Sequence, residues 1–485
     1  MKRVTAALLV LAVLAACFIG GASAYMDRRA DDLEISGEAL CGDAAAAEGF
    51  TVNLDAVLGG HVVWASNYVP STGERSTNHH WSWSDTELYE RSYPPEVRLS
   101  EAWLDSGVSW SGTSNIDHLY DGQSVEDALY NSIKDEVEVG DTVSKTVLLN
   151  DYTDTLPLEF SAFRIENDDE EQLKRVFRVP LEEDVPVRLT MTRWQDGGEF
   201  NIDADLGQYI PSSASAFAAD GNIYSLMLLM DENGVQTDAS LLPGGSWGVY
   251  RIPCEFTDGE PEGVRWWTDD PGVAAEPEGS ELVFPLDAGC TAANLFLSYD
   301  GQYLQLVTCE GGELYFTVID ITSGEALSRE KMPPVFDVDG YDVEPEYGVW
   351  NMECTLYEDF AVFSSYDTLY VYEPCDGDYE LKLCLDVNDA PLPEKYTWDN
   401  YGYDEYIEYS EYAWDGERLA VLDSGQVSFQ EEKDGEWLEE DCARLCIYDG
   451  SSGELLYCDM LENQFTRELS YGRTPVYFRY GVSAA

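Results

Sequence analysis

The sequence predicts an all-β fold made of repeated short strands. From residue 50 onward, runs such as TVNLDAV, HVVWASNYV and VRLTMTRW are rich in β-branched and aromatic residues and are bounded by Gly, Pro, Asn or Asp, which is the pattern of strands. Two short phrases also recur in the second half of the chain, and each predicts a tight turn between strands. With 485 residues, 44% of them hydrophobic, the chain can bury a substantial core.

The amino-terminal segment predicts a location outside the cytoplasm. A basic pair precedes 21 uncharged residues, VTAALLVLAVLAACFIGGASA, a length that suits a signal-peptide core or a minimal membrane span. LAAC at 14–17 resembles a lipobox that would make Cys17 the lipidated first residue, and ASA at 22–24 fits a cleavage site. We therefore expect residues 1–24 to be a transmembrane anchor or a signal peptide, with a lipoprotein as the third alternative. All three place residues 25–485 outside the cytoplasm.

The rest of the chain divides into three predicted regions. Residues 25–49 predict a stalk, because a charged run is followed by the small residues of GDAAAAEG. Residues 50–185 are an N-terminal β region, either the first part of the repeat or a separate domain, and 186–480 hold the repeat. One helix is expected at 124–137, where Ser124 can cap. Its apolar residues share one face: Val125, Ala128, Leu129, Ile133 and Val137.

The first recurring phrase is an Asp-Gly pair just before an apolar strand. It occurs in AADGNIYSLMLL, SYDGQYLQLV and AWDGERLAVL, with the pairs at Asp220, Asp300 and Asp415, spaced 80 and 115 residues apart. These spacings are close to multiples of about 40, which is the length of a repeat unit in several β architectures. We therefore interpret these pairs as turns of a repeated scaffold.

The second phrase is a strand followed by a glycine-containing turn. VIDITSGEAL at 318–327 and IYDGSSGELL at 447–456 share Asp, Gly, Glu and Leu at matching offsets, and VYEPCDGDYEL at 371–381 keeps the geometry. Glycine can take the positive φ that such tight turns need. The phrase therefore predicts a hairpin in each of the three places.

Strand, Asp-Gly turn, strand, Ser-Gly turn and strand together resemble the blade of a β-propeller, as in pyrroloquinoline-quinone-type and tryptophan-aspartate repeat proteins. The layout is similar to that of uncharacterised membrane-anchored or secreted bacterial proteins with a divergent propeller. The predicted fold is therefore a β-propeller of about six to eight irregular blades, together with the short N-terminal membrane segment and the one small helix described above. The regular Gly-His and Trp-Asp pairs and the regular tryptophan docking of those families are missing, so the resemblance implies no catalytic residues.

The charge of the chain excludes one class of partner. There are 94 acidic and 27 basic residues, a formal net charge of -67. Such a surface repels nucleic-acid phosphate and anionic lipid headgroups and attracts cations. We expect no nucleic-acid partner, and membrane contact through the N-terminal segment only. The acidity fits a solubilising coat on a secreted protein, or an adaptation to high salt.

Eleven cysteines in an extracytoplasmic chain raise the question of disulfides. They are scattered through the repeat, so several are expected to be buried strand residues. Cys375 and Cys384 could bridge one hairpin. Cys442 and Cys446 share a strand face but have no histidine nearby, which disfavours zinc.

The strongest candidate for a ligand site is the aromatic and acidic stretch YTWDNYGYDEYIEYSEYAW at 396–414. Aromatic rings stack on sugars or hold cations, and carboxylates bind hydroxyls or basic groups. The alternative is an insertion whose tyrosines pack on the scaffold. The candidate ligand-binding residues are Trp398, Tyr401, Tyr403, Tyr406, Tyr409, Tyr412, Trp414, Glu405 and Glu408.

The acidic run DVDGYDVE at 337–344 is the candidate metal site. It contains Asp337, Asp339, Asp342 and Glu344, and carboxylate oxygens suit calcium. Its glycine comes two positions too early for a helix-flanked calcium loop, so an acidic loop between strands is the alternative. Calcium is the one cofactor that the sequence suggests.

Two further motifs have simpler interpretations. GGSWG at 244–248 matches the nucleophile-elbow pattern, but a strand follows it and all four histidines precede it, so we expect a turn. His79 and His80 are adjacent and would point to opposite faces of a strand.

The function that these observations favour is a non-enzymatic binding or sensing ectodomain that contacts a protein, peptide or glycan at the cell surface. One alternative is a carbohydrate-active enzyme that uses paired carboxylates. Another is a structural surface protein that calcium stabilises. The repeat scaffold without an assembled catalytic motif favours the first.

Overall fold

The structure is a computed structural model. It describes residues 13–15, 17–25, 35–58, 62–81, 97–100, 107–112, 125–152, 155–164, 172–180, 186–194, 200–205, 215–217, 222–228, 230, 235–236, 239, 244–253, 280–336, 341–375, 377–387, 390–391, 409–430, 437–463 and 476–484.

These residues form 28 strands and, beyond the helical amino-terminal segment, two α-helices. The first fourteen strands are β1 Ile35–Gly42, β2 Phe50–Leu58, β3 Val62–Val69, β4 Glu74–Trp81, β5 Val97–Ser100, β6 Gly107–Gly112, β7 Thr142–Leu148, β8 Thr155–Arg164, β9 Gln172–Pro180, β10 Pro186–Arg193, β11 Phe200–Asp205, β12 Ser215–Phe217, β13 Asn222–Met227 and β14 Gly248–Pro253.

The other fourteen strands are β15 Glu281–Pro285, β16 Cys290–Leu297, β17 Tyr303–Glu310, β18 Glu313–Asp320, β19 Ala326–Lys331, β20 Glu353–Leu356, β21 Ala361–Ser365, β22 Thr368–Cys375, β23 Asp378–Asp386, β24 Tyr409–Trp414, β25 Arg418–Gln430, β26 Trp437–Asp449, β27 Leu455–Asn463 and β28 Val476–Ala484. The α-helices are α1 Val125–Ile133 and α2 Pro345–Trp350, and short 3-10 turns lie at Ala44–Ala47, Lys134–Glu136 and Leu149–Asp151.

The chain divides into two compact units. The first comprises Met1–Ser92, Leu369–Val371 and Leu381–Ala485, and the second comprises Tyr93–Thr368 and Tyr372–Glu380. The division of the chain into 50–185 and 186–480 stays a prediction.

Strands from both ends of the chain share the two sheets of the first unit. One sheet has the order β28-β2-β3-β4, and the other has the order β1-β27-β26-β25-β24. β2 pairs with β28 from Phe50 opposite Ala484 to Leu58 opposite Val476. Buried residues of both sheets, among them Leu54 and Leu445, form one apolar core.

Part of the predicted stalk is therefore a strand. Within residues 25–49, Ile35–Gly42 forms β1 and pairs with β27. Ile35 is buried at 2% exposure. The prediction of a stalk is wrong for these residues, because a strand at the edge of a sheet needs only one good partner and few apolar side chains of its own.

The second unit contains four small antiparallel sheets. Their strand orders are β5-β8-β9, β6-β11-β10-β7, β12-β13-β14-β15 and β16-β17-β18-β19. β17 and β18 are buried along almost their whole length, while β19 is largely exposed. Arg329 and Lys331 of this edge strand pair with Glu310 and Glu313, which is how edge strands stay soluble.

A seventh sheet has the order β20-β21-β22-β23. All seven sheets that the described residues form have three to five strands, and the neighbouring strands whose register is known pair antiparallel. Small antiparallel sheets that repeat along the chain are the pattern of propeller blades. The predicted all-β class is confirmed.

The helix predicted at 124–137 is present as α1. Leu129, Tyr130 and Ile133 are buried, and the Tyr130 ring lies 5.3 Å from that of Phe200 on β11. The second helix, α2, was not expected, because six residues that begin with a proline give too short a periodic pattern to recognise. The Asn294 side-chain amide donates hydrogen bonds to the Val349 and Met352 carbonyls at the end of α2.

The described part of the amino-terminal segment is helical at residues 13–15 and 17–25. No helix within the described residues has the length and apolar character needed to cross a membrane.

Candidate functional site

The predicted aromatic site lies mostly outside the described residues. Trp398, Tyr401, Tyr403, Glu405, Tyr406 and Glu408 fall in that part of the chain. The end of the stretch forms β24, which begins at Tyr409. In β24, Tyr412 is buried at 5% exposure and Trp414 is half-buried, packed so closely on Gly450 that a Cβ there would overlap the indole. The ligand-binding role of these residues stays a prediction.

The predicted metal loop is also only partly described. Asp337 and Asp339 lie outside the described residues, while Asp342 and Glu344 are exposed. Glu344 directly precedes α2 without a capping hydrogen bond from its side chain. In the described parts of the chain, no group of three or more His, Cys, Asp or Glu is arranged to hold a metal ion.

The GGSWG motif is a turn, as predicted. Gly244 and Gly245 have φ values of 87° and 67°, and the motif runs directly into β14. The Tyr250 hydroxyl donates a 2.5 Å hydrogen bond to the Ser246 carbonyl and so fastens the turn to the strand. His79 and His80 lie on β4, opposite Trp64 and Val63 of β3.

The repeated Asp-Gly phrase forms turns in which the aspartate binds the backbone. Asp300 Oδ1 accepts hydrogen bonds from the Ser298 hydroxyl and the Gln302 amide. Asp415 Oδ1 accepts hydrogen bonds from the two amides that follow its glycine. Gly301 and Gly416 have φ values of 68° and 90°, which disfavour other residues. Asp220 lies outside the described residues.

The second phrase also forms closely similar turns. Asp320 Oδ1 accepts hydrogen bonds from the amide and hydroxyl of Ser323. Asp449 Oδ1 accepts four such bonds from Ser451 and Ser452. These bonds lower the pKa of Asp320 below its usual range and lower that of Asp449 to about 2. The predicted hairpins at both places are confirmed, and their carboxylates accept hydrogen bonds from within the turns.

The most unusual site that the structure reveals is a buried polar face of the five-stranded sheet in the first unit. Partners across an antiparallel sheet share a face. Ser410, Asp423 and Arg444 are successive partners on β24, β25 and β26. Two residues further along these strands, on the same face, the successive partners on β24 to β27 are Tyr412, Val421, Cys446 and Cys458. We call Ser410, Asp423, Arg444, Cys446 and Cys458 the thiol–arginine cluster.

An ion pair dominates the polar row. Arg444 Nη2 lies 2.8 Å from Asp423 Oδ2, and the two side chains are only 8% and 7% exposed. The Ser410 hydroxyl donates to Asp423 Oδ1 at 2.9 Å, and Arg444 Nη1 donates to the Ala390 carbonyl at 3.1 Å. Burial alone would lower the pKa of Arg444, but the Asp423 carboxylate raises it above its ordinary value. Arg444 therefore stays charged.

Two thiols lie beside this pair. The sulfur atoms of Cys446 and Cys458 are 3.5 Å apart, and both residues are buried. The hydrogen bond to Cys458 and burial raise the pKa of Cys446 well above its ordinary value, while Arg444 acts in the opposite direction. Cys41 lies opposite Cys458 on β1 and is partly exposed. The row thus places three cysteines on adjacent strands.

The opposite face of β27 carries a buried acid. Asp459 has no exposed surface, and the Tyr68 hydroxyl donates to its Oδ2 at 3.3 Å. Burial raises the pKa of Asp459 above its usual range, and burial together with the Asp459 charge raises the pKa of Tyr68 to about 12. A side chain at Gly37 would overlap the carboxylate, so Gly37 makes room for it.

Sequence reasoning missed the thiol–arginine cluster. The available signal was the presence of Asp423 and Arg444 inside the apolar strands RLAVLDSG and CARLCIYD. Charged residues within such strands are rarely buried unless they are paired. The pairing partner depends on strand register, which the sequence does not show directly.

No protein-family profile and no curated protein matches the chain. Among solved structures, the chain is similar to one in the mitotic checkpoint complex, with 9% identity, coverage of 50% of this chain and 61% of the other, and a TM-score of 0.22. It is similar to TolB from Acinetobacter baumannii, with 10% identity, 90% and 84% coverage and a TM-score of 0.24.

A third similar structure is the β-propeller domain of Cps50 (Swd1) from Myceliophteria thermophila, with 12% identity, 67% and 97% coverage and a TM-score of 0.22. At TM-scores this low, the likenesses assign no function to this chain. The description of the fold rests on the small antiparallel sheets of the chain itself.

Proposed function

We propose that this chain is an extracytoplasmic, non-enzymatic binding or sensing ectodomain on a divergent β-propeller scaffold. The observation that carries the proposal is the repetition of small antiparallel sheets joined by acidic turns. In the four described turns, the aspartates at 300, 320, 415 and 449 bind backbone amides of their own turn. These carboxylates build the scaffold, which leaves recognition to the longer connecting loops.

The charge of the chain supports a partner with basic groups. A net charge of -67 gives fast, salt-sensitive association with a positively charged surface. The proposed contact region is the aromatic and acidic stretch at 396–414. Its aromatic residues supply contact area and cation–π interactions, and its carboxylates supply ion pairs. A protein or peptide rich in lysine and arginine satisfies both requirements better than a neutral glycan does.

The proposal can be tested with defined peptides on the full chain. A lysine- and arginine-rich peptide is expected to bind saturably, and a glutamate-rich peptide of equal length is not. Replacing Trp398 with alanine should weaken binding about tenfold, the effect of losing an aromatic anchor. Tyr341→Ala is the matched control, because Tyr341 is 78% exposed within the other acidic run, 337–344. Equal loss in both variants would show that binding does not depend on the 396–414 stretch in particular and would contradict the proposed site.

The carbohydrate-active alternative rests on Glu405 and Glu408, whose carboxylates alternate with tyrosines in the sequence. A glycan panel should show no hydrolysis by the native chain. Hydrolysis that is lost in Glu405→Gln or Glu408→Gln would replace the binding proposal with an enzymatic one.

A further inference from the structure

We propose that Cys446 and Cys458 are a reversible redox pair, which forms a cross-strand disulfide by exchange with a small-molecule disulfide such as oxidised glutathione. The inference concerns a modification site in the first unit and does not depend on the proposed binding function. It rests on the positions of the two sulfur atoms, on two irregularities in strand pairing and on the environment of the pair.

The geometry of the pair suits a disulfide. Cys446 and Cys458 are direct partners on β26 and β27, and partners in antiparallel strands have Cα atoms about 4.5–5.5 Å apart. Disulfides span Cα distances of about 4.4–6.8 Å, so the backbone needs no rearrangement. The sulfur atoms are already 3.5 Å apart and reach bonding distance by rotation of the two side chains.

The pairing depends on an irregularity next to the turn. Tyr448 lies opposite Leu455, but its neighbour Ile447 lies opposite Tyr457. The register of the two strands therefore shifts by one residue between Tyr448 and Ile447. In a regular hairpin Cys446 would lie opposite Tyr457, and Cys458 would point to the other face. The shift, which is a feature of β-bulges, therefore brings the two thiols together.

A second irregularity places Cys41 next to the same pair. On β1 the register shifts between Ala39 and Cys41, so that Cys41 lies opposite Cys458. β1 is the edge strand of its sheet and Cys41 is partly exposed. Edge strands open locally more easily than central ones, so opening of β1 gives an external disulfide access to Cys458.

The surroundings favour a stable dithiol that can still react. The hydrogen bond with Cys458 and burial raise the pKa of Cys446, which keeps the resting Cys446 thiol protonated. The Arg444 guanidinium on the same face favours the thiolate of Cys446, and its own charge is held by Asp423. A positive charge beside a cysteine is the usual environment of a thiol that reacts by exchange.

The exchange proceeds in two balanced steps. The Cys458 thiolate attacks one sulfur of oxidised glutathione, which forms a mixed disulfide and releases one glutathione thiolate. The Cys446 thiolate then attacks the Cys458 sulfur, forms the protein disulfide and releases the second glutathione thiolate. Two protein thiols are oxidised, one disulfide is reduced, and the two protons pass from the protein thiols to the glutathione thiolates. An excess of reduced glutathione reverses both steps.

The sequence provides a direct readout. No lysine or arginine lies between Cys446 and Cys458, so trypsin leaves both in the single peptide 445–467. Cys41 and Cys442 fall in other tryptic peptides. The full, folded chain is equilibrated with different ratios of reduced and oxidised glutathione, alkylated under denaturing conditions, digested and weighed by mass spectrometry.

We expect peptide 445–467 to carry two alkyl groups under reducing conditions. Under oxidising conditions it should carry none, and its mass should be lower by two hydrogens because the disulfide has formed. Reduced glutathione should reverse this change fully. Cys309→Ser is the matched control, because Cys309 is a buried strand cysteine of the second unit, and it should behave as the native chain does. In Cys458→Ser, the same peptide should carry one alkyl group under all conditions.

Three results would overturn the proposal. The first is two alkyl groups on peptide 445–467 at every glutathione ratio. The second is a bond between Cys41 and Cys458, seen as two linked tryptic peptides. The third is a Cys446–Cys458 bond that forms only after urea has unfolded the chain. The native chain alone gives all three readings, so the test does not depend on the folding of a variant.

Discussion

Arg444 occupies a position at which a charged side chain is normally excluded. It lies on the central strand β26, is 8% exposed and pairs with Asp423 at 2.8 Å. Removal of one partner from a buried pair leaves the other charge without compensation, which costs more than the pair contributes. Replacing either residue alone therefore costs more free energy of unfolding than the intact pair contributes.

Replacing Asp423 with asparagine should lower the free energy of unfolding by about 3–5 kcal/mol, because Arg444 would keep its charge in a buried site. Urea unfolding followed by circular dichroism measures the change. Glu313→Gln is the control, since Glu313 pairs with Lys331 at an exposed edge, and it should leave the unfolding midpoint unchanged. Similar midpoints for both variants would show that water reaches Arg444 in the folded chain.

The Asp449 turn gives a pH-dependent prediction. The pKa of Asp449 is lowered to about 2, against about 3.9 in an unfolded chain. A lowered pKa means that the carboxylate stabilises the fold above the unfolded value, and that this contribution is lost as the pH falls toward 2. Asp449→Ala should therefore melt below the native chain at neutral pH, and the difference should shrink on acidification.

The melting temperatures of both chains across an acid titration measure this effect. Asp449→Asn is the matched control, because its amide oxygen still accepts hydrogen bonds but carries no charge. The same difference between native chain and alanine variant at every pH would mean that the charge of Asp449 contributes nothing to the turn.

At the scale of the elements, β1 is held by close packing as well as by its hydrogen bonds. A Cβ at Gly37 would overlap Asp459 Oδ2 and would lie 2.6 Å from the Tyr68 hydroxyl. Gly37→Ala should therefore destabilise the first unit by about 1–3 kcal/mol, the usual cost of overpacking. Gly481→Ala on β28 is the control, because nothing lies within 4 Å of its added Cβ.

Chemical denaturation of both glycine variants measures the difference. An unchanged midpoint for Gly37→Ala would show that β1 moves outward at little cost, and that its contact with β27 is loose. A loss in both variants would instead point to a general effect of alanine in these strands.

Local sequence patterns predicted the strands, α1 and the acidic turns, because each depends on residues close together in the chain. Asp300 with Gly301, for example, forms its turn through bonds within five residues. The pattern could not predict β1 as a strand or the cluster around Arg444. Both depend on partners far away or on register, and the shift beside Ile447 changes which residues face each other.

At the scale of the whole molecule, the net charge of -67 opposes the compact state through self-repulsion. Screening shortens the range of this repulsion to about 8 Å at physiological ionic strength. The melting temperature should therefore rise as sodium chloride is added from low concentration, and potassium chloride at equal ionic strength should act equally.

A calcium site would change this behaviour. If the acidic loop at 337–344 bound calcium, low concentrations of that ion would raise the melting temperature far more than its ionic strength explains. Asp339→Asn would remove the additional rise. Equal effects of calcium, sodium and potassium at matched ionic strength would contradict calcium stabilisation and leave screening as the cause.

The pairing of β2 with β28 has a consequence for synthesis. A ribosome completes β2 more than 400 residues before it reaches β28, and at about 5–20 residues per second this interval lasts roughly 20–80 seconds. Until then the edge that runs from Phe50 to Leu58 lacks its final partner, and an open strand edge is a template for pairing with other chains. The nascent protein therefore depends on protection of this edge until β28 is released.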